Sequence, residues 1–260
     1  MLKASVSQRP SARWHSCSAP VRYFLFLLQK HFSLAAVLRE PIDCMNHIRN
    51  IIFDYDGTLV DTAPLIIATM QATIDLLQLP YKTVDECRAT IGIRLEDVPD
   101  ALWTGNDDVK RDFAATYRRV FEELQRPLSV QSFPGVLSVL GELHDHGYKM
   151  AIASSRGRKS LEEYVEQFGM SDYFEMIVGG NDVEHGKPAP DPVLKILDKC
   201  RWLAAETLTV GDAPVDILMG RAAGTYTCAV TYGNGGREEL AAANATYIID
   251  SFEDLKSILS

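Results

Sequence analysis

Residues 51–62 read IIFDYDGTLVDT. An apolar run, Ile51-Ile52-Phe53, stops at two carboxylates, Asp54 and Asp56, with Gly57 and Thr58 behind them. The run suits a buried strand. Two anions this close at its end repel each other, and in a partly dry site one is driven to take up a proton. Three readings fit the pair: an acidic turn, a metal site, or an acid beside a nucleophile. The rest of the chain has to decide between them.

Outward from this strand, short apolar segments alternate with amphipathic ones, the signature of βαβ units and a parallel sheet. Strands are expected at 50–54, 148–153, 174–178, 207–211, 226–230 and 246–249, and helices at 135–146, 158–168, 190–200, 214–223, 236–242 and 252–259. Pro134-Gly135 opens one helix and Gly147 closes it, while Pro190-Asp191-Pro192 places proline where its missing N–H costs least. One interval breaks the rhythm: about 75 residues before Pro134 hold no good strand. Within it, 65–77, 109–124 and more weakly 84–90 show helical spacing. That is too long for a crossover loop. The expected fold is therefore α/β: a doubly wound parallel sheet built from 45–61 and 131–260, with an inserted all-helical cap at 62–130.

In such a sheet, ligands bind beyond the carboxyl ends of the strands. Asp54 and Asp56 follow the first strand; Ser154, Ser155 and Arg156 follow the second; Lys187-Pro188 lies beyond the third; Gly211-Asp212 ends the fourth, with Asp216 one helical turn on. Each has an ordinary reading, as an N-cap, a solvated lysine or a surface acid. Their convergence on one rim is what carries chemistry. Three clustered carboxylates need a cation, and all-oxygen ligation suits Mg²⁺. Ser154, with Ser155 beside it and helix N–H groups behind, forms with Lys187 a pocket for a dianionic phosphoryl group. Together with a carboxylate nucleophile, these parts describe phosphoryl transfer through an aspartyl-phosphate.

Four motifs in order, Asp54-Tyr55-Asp56-Gly57-Thr58, Ser154, Lys187-Pro188 and Gly211-Asp212 with Asp216, resemble the haloacid dehalogenase superfamily over residues 48–260. The resemblance is to its phosphatase branch with a small helical cap, and phosphoglycolate-phosphatase-like in flavour. It implies that Asp54 is nucleophile and metal ligand, and that Asp56 gives its backbone carbonyl to the metal and its side chain as acid, then base. It further implies that Ser154 binds the phosphoryl group, that Lys187 stabilises its charge and that of Asp54, and that Asp212 holds Mg²⁺ with Asp216 in support. The pattern departs at Ala213, where Ser, Thr or Gly is more usual, and at Ser155-Arg156, which replaces Asn-Lys. Arg94, in the cap segment Ile91-Gly92-Ile93-Arg94-Leu95-Glu96, and Arg156 are the candidate substrate contacts.

The implied function is a Mg²⁺-dependent phosphatase acting on a small phosphorylated metabolite, phosphoglycolate-like or a sugar phosphate. A β-phosphoglucomutase-like mutase shares the same catalytic residues, and pyrophosphatase or nucleotidase activity is compatible with them. A dehalogenase would lack Asp56, a phosphonate hydrolase would want a small residue there, and a binding protein on the same scaffold would have lost a catalytic group. A phosphoacceptor receiver domain would lack the cap and run nearer half this length.

Composition agrees with a globular protein: 47% hydrophobic, 23% charged, net charge −9. That balance disfavours nucleic acid and anionic membranes as partners. Charge is uneven, with six Lys/Arg against Glu40 and Asp43 in residues 1–44, and 20 basic against 33 acidic residues in the remainder. The segment 1–44 has no uninterrupted apolar run of about 20 residues and reads as an extension without a part in the fold, with a transit-like or membrane-surface segment as the alternative. Five cysteines with no CxxC spacing suit a reducing cytoplasm rather than a disulfide framework or zinc. Monomer and homodimer are both compatible with the sequence.

Overall fold

The structure, a computed structural model, describes residues 47–103, 107–125 and 130–259. The reading of residues 1–44 as an extension lies outside them. Six parallel strands form the sheet: β1 (Asn50–Phe53), β4 (Lys149–Ala153), β5 (Met176–Val178), β6 (Thr207–Gly211), β7 (Tyr226–Val230) and β8 (Tyr247–Ile249), in the order β5-β4-β1-β6-β7-β8. Two further strands, β2 (Val60–Asp61) and β3 (Gln131–Ser132), pair with each other antiparallel.

β1 is the axis of the molecule. It pairs with β4 from Asn50↔Lys149 to Phe53↔Ile152 and with β6 from Asn50↔Thr207 to Phe53↔Val210. All four of its residues are buried, as a strand covered on both faces requires. Ile51 and Phe53 face one core with Met150, Ile152, Leu208 and Val210; Ile52 faces the other with Ala151, Ala153 and Val178. The chain first fills the sheet to one side of β1, with β4 and β5, and then to the other, with β6, β7 and β8. That reversal puts a ligand crevice at the carboxyl end of β1.

The long strandless interval is helical, as its spacing predicts: α1 (Ala63–Leu76), α2 (Val84–Arg88), α3 (Val98–Leu102) and α4 (Asp107–Leu124). These helices have a hydrophobic cluster of their own, with Ile66, Met70, Ile74, Cys87, Ile91 and Phe113 at its centre. Thr69 and Thr73, buried inside α1, satisfy their hydroxyls by donating to Leu65 O and Thr69 O at 2.7 Å. On α4, Phe113, Tyr117 and Phe121 recur every fourth residue and stack at 6.3 and 6.0 Å. The ladder runs from the helical cluster into the main core, where Phe121 is buried. The chain leaves and re-enters the α/β part through the β2–β3 pair, fixed by Val60↔Ser132 and Asp61↔Gln131.

The remaining helices follow their strands: α5 (Val136–Asp145), α6 (Arg158–Gln167), α7 (Asp191–Cys200), α8 (Pro214–Ala222), α9 (Arg237–Ala242) and α10 (Leu255–Leu259). Expected and observed elements agree to within a residue or two, with two differences. The 252–259 helix begins as a 3₁₀ turn, and β2, β3 and α3 were not anticipated. Two-residue strands carry no alternation to detect, and α3 is a single turn. Among the described residues, no helix is long and apolar enough to cross a membrane. Cys87, Cys200 and Cys228 are free thiols.

Ile152 lies fully buried on the central pair. Ile152→Ala should cost about 2–5 kcal/mol in urea unfolding. Leu203→Ala, at a side chain 61% exposed, should stay within about 0.5 kcal/mol. Equal losses at both positions would contradict this packing.

Candidate active site

The carboxyl ends of β1, β4 and β6, and the loop beyond β5, bring together the residues picked out from sequence. Asp54 (3% exposed), Asp212 (2%) and Asp216 (1%) offer carboxylate oxygens that lie within 4.8 Å of one another. Lys187 enters between them from the loop after β5. Its ammonium forms a short ion pair with Asp54, and its Nζ lies 2.6 Å from Asp216 Oδ1. The Asp216 contact is close enough for an ion pair, yet Asp216 Oδ1 has no aligned hydrogen-bond donor. The other oxygen, Oδ2, accepts from Ala213 N at 3.0 Å, which fixes the carboxylate over the start of α8.

Three buried carboxylates against one ammonium leave excess negative charge out of water, and the acids respond. Burial raises the Asp54 pKa well above the carboxylate range; Lys187 opposes the rise, while Asp216, Asp212 and Asp56 add to it. Burial, with Asp216, pushes Asp212 up to about 7 against the hydrogen bonds from Asn234. For Lys187, burial works against the ammonium, but Asp216 and Asp54 outweigh it and hold its pKa above the usual lysine value. An unaligned buried oxygen, excess anionic charge and an all-oxygen donor set fit a hard divalent cation.

Asp56 is placed differently from the other three acids. Its carboxylate stands outside the cluster and accepts from Thr62 Oγ1 at 2.6 Å and from both Nε (3.0 Å) and Nη2 (2.5 Å) of Arg156. Arg156, a candidate substrate contact, lines the space above Asp54, and its side chain is 8% exposed. Its guanidinium lies over the rings of Tyr164 (4.8 Å) and Phe121 (5.1 Å), a shelf shared by α6 and α4. Burial disfavours the Arg156 charge, and Asp56 more than restores it. The pair is planar, bidentate and stacked, a geometry that lysine could not reproduce.

Ser154 is buried and accepts from Arg156 N at 3.2 Å. Ser155, expected beside it as a phosphate ligand, donates its hydroxyl proton to Gly92 O at 2.6 Å and so ties the helical insertion to the sheet. Arg94, the other expected substrate contact, also serves as a tie. Nε bonds Asp97 at 2.9 Å and Nη1 bonds Glu184 O at 2.9 Å.

Several site residues were missed from sequence. Thr58 Oγ1 donates to Asp212 Oδ1 at 3.3 Å, and Asn234 donates to Oδ2 through its backbone N (2.6 Å) and Nδ2 (3.0 Å). Tyr232 OH donates to Thr58 O at 2.8 Å. The signal was available: Tyr232-Gly233-Asn234-Gly235-Gly236 follows β7 on the same rim. Gly57 has φ +91, and a Cβ there would collide with the Asp212 carboxylate and the Asn234 amide. Only glycine allows both the backbone turn and the close approach.

Residues 51–230 match the family model described as haloacid dehalogenase-like hydrolase. The chain belongs to that family. Among its relatives, the pyrophosphatase PpaX of Bacillus pumilus is 34% identical over 212 residues, covering 82% of this chain and 96% of its own. The phosphoglycolate phosphatase of Salmonella typhimurium is 28% identical and covers 82% and 93%. A haloacid dehalogenase-like hydrolase from Bacteroides fragilis, known from its crystal structure, superposes with a TM-score of 0.76 at 28% identity, covering 80% of this chain and 99% of that one.

The charge balance of this hydrolase has a measurable pH signature. With its pKa at about 7 in the folded state against 3.8 as the ordinary value, Asp212 retains a proton that the unfolded chain has lost. Between those values the folded state binds more protons. In the cation-free protein this site therefore adds stability as pH falls from 8 toward 5, and that contribution is lost as pH rises through 7. A divalent cation held by these carboxylates would compete with the same proton. If the cluster takes such a cation, the rise in melting temperature on adding Mg²⁺ should be largest at pH 8, shrink by pH 6 and vanish in Asp212→Asn. A rise that grows on acidification would contradict the assignment.

Proposed function

We propose that this hydrolase is a Mg²⁺-dependent phosphatase that cleaves a small phosphomonoester through a phosphorylated Asp54. The observation carrying this reading is the convergence of Asp54, Asp212, Asp216 and Lys187 in a buried cluster at the carboxyl end of β1, with Ser154 beside it. Relatives named as a pyrophosphatase and a phosphoglycolate phosphatase support the reaction class.

Asp54, Asp212 and Asp216, with the Asp56 backbone carbonyl, would hold the ion. Magnesium, when bound, offsets the carboxylate charge and that of the phosphoryl oxygens. Asp54 attacks phosphorus, the bond from phosphorus to the leaving oxygen breaks, and Asp56 supplies that oxygen with a proton. Water then attacks phosphorus, Asp56 takes its proton, and the bond from phosphorus to Asp54 breaks, releasing phosphate and restoring the carboxylate. Lys187 keeps Asp54 placed for attack and balances charge as the oxyanion develops. Ser154 and the N–H groups behind it receive the phosphoryl oxygens. Asp56 accepts three hydrogen bonds at rest, so in proton transfer its Oδ1 exchanges a partner for the reacting oxygen while Oδ2 keeps the bond from Arg156 Nε. Residues 62–130 act as the cap, and the ties from Ser155 and Arg94 hold it over the site against bulk water.

Phosphate release from a panel of monoesters, with Mg²⁺ and with EDTA, tests the reading. Release should require the metal, and Asp54→Asn should abolish it. Asp56→Asn should slow turnover by about 10²–10⁴-fold through loss of proton transfer. Substantial turnover by Asp54→Asn would remove the nucleophile from the scheme.

A further inference from the structure

The space above Asp54 and Asp56 has a volume of about 630 Å³. That lies within the roughly 300–1,000 Å³ range of sites enclosing drug-sized ligands. It is far more than pyrophosphate or phosphoglycolate would fill. One wall is apolar and comes from the helical insertion, with Ile66, Met70, Ile91, Ile93, Val98 and Tyr117. Neutral hydrogen-bonding side chains, Thr90, Gln125 and Asn181, stand among them.

The charges on the wall are more telling. Arg156 is held by Asp56. Arg118 forms a short ion pair with Glu96. Arg158 pairs with Glu162 at 2.8 Å and Asp182 at 3.6 Å. Lys159 stands in solvent, 3.9 Å from Glu163. Among the described residues, each cation lining this space therefore has a carboxylate partner within ion-pair distance. Glu122 adds a further acid to the lining. Once Lys187 and the metal site have taken the phosphoryl group, a second anionic group would enter a half-enclosed, acid-rimmed space where, among the described residues, every lining cation already faces a carboxylate. Desolvating a charge without a partner is costly, whereas an uncharged ring loses little and gains the apolar wall.

We propose that the phosphomonoester of this site has an uncharged ring alcohol of hexose or nucleoside size as its leaving group, and that substrates with a second anionic group are poor ones. This rests on the phosphatase reading above and runs against a direct transfer of substrate from the relatives named as a pyrophosphatase and a phosphoglycolate phosphatase.

The test is steady-state phosphate release by the full chain with Mg²⁺. The substrates are glucose 6-phosphate, uridine 5′-monophosphate, acetyl phosphate, phosphoglycolate and pyrophosphate. The expected result is a kcat/KM for a ring monoester about 100-fold above those for phosphoglycolate and pyrophosphate, the two ring substrates separating a sugar from a nucleoside. Phosphoglycolate or pyrophosphate equalling the best ring monoester would overturn the inference while leaving the phosphatase reading intact. Release from none of the five would overturn both. A second variant probes the wall itself. Ile93→Trp narrows the space and should raise KM for the ring monoester at least about fivefold more than for acetyl phosphate, which does not reach that wall. An equal change for both would overturn the placement of the leaving group.

Discussion

The contact on which the site depends is that of one buried ammonium with two buried carboxylates. Lys187 reaches Asp54 and Asp216 at once from a loop that follows β5, and Asp212 completes the cluster. Without that charge, the three acids, two at the ends of β1 and β6 and one in the first turn of α8, would be driven to protonate. The sheet order makes the contact feasible. β1 lies between β4 and β6, so residues at the ends of β1, β4 and β6, with the loop beyond β5, share a single crevice. The packing centre and the proposed reactive centre thus adjoin on one strand: Ile51, Ile52 and Phe53 anchor the two cores, and the next residue is the proposed nucleophile.

The paired acids at the end of that strand are resolved by separation. Asp54 turns into the carboxylate cluster; Asp56 turns away and is engaged by Arg156 and Thr62. Repulsion within the pair is answered by a different cation for each member, Lys187 for one and Arg156 for the other. The Arg156 side chain is itself held by rings from α4 and α6, so the helical insertion contributes to the placement of Asp56.

Much of this was legible in the sequence, and the boundary is physical. Asp54, Ser154 and Asp212 directly follow apolar strand runs, and Lys187, beyond a glycine-rich loop, and Asp216, one helical turn past Asp212, fall on the same rim. Three of the four helices of 62–130 were legible from apolar spacing, as was the six-stranded sheet, while the single turn of α3 was not. What could not be read was pairing between distant residues of ordinary type. The setting of Arg156 depends on Phe121 and Tyr164, and Asn234 reaches Asp212 because a glycine-rich turn folds back over the rim. Ser155 and Arg94, read as candidate ligand contacts, also bond the carbonyls of Gly92 and Glu184, partners that spacing does not indicate. Residue type and spacing indicate where a side chain starts; the partner it finds depends on packing between segments far apart in the chain.

The central claim is that Asp54 itself accepts the phosphoryl group. Acid quenching during turnover of a good substrate, followed by peptide mass analysis, tests it most directly. A phosphoryl group is expected on the peptide containing Asp54, present during turnover with Mg²⁺ and absent in Asp54→Asn. Rapid turnover with Asp54 unmodified, and the label either on another residue or on none, would contradict it.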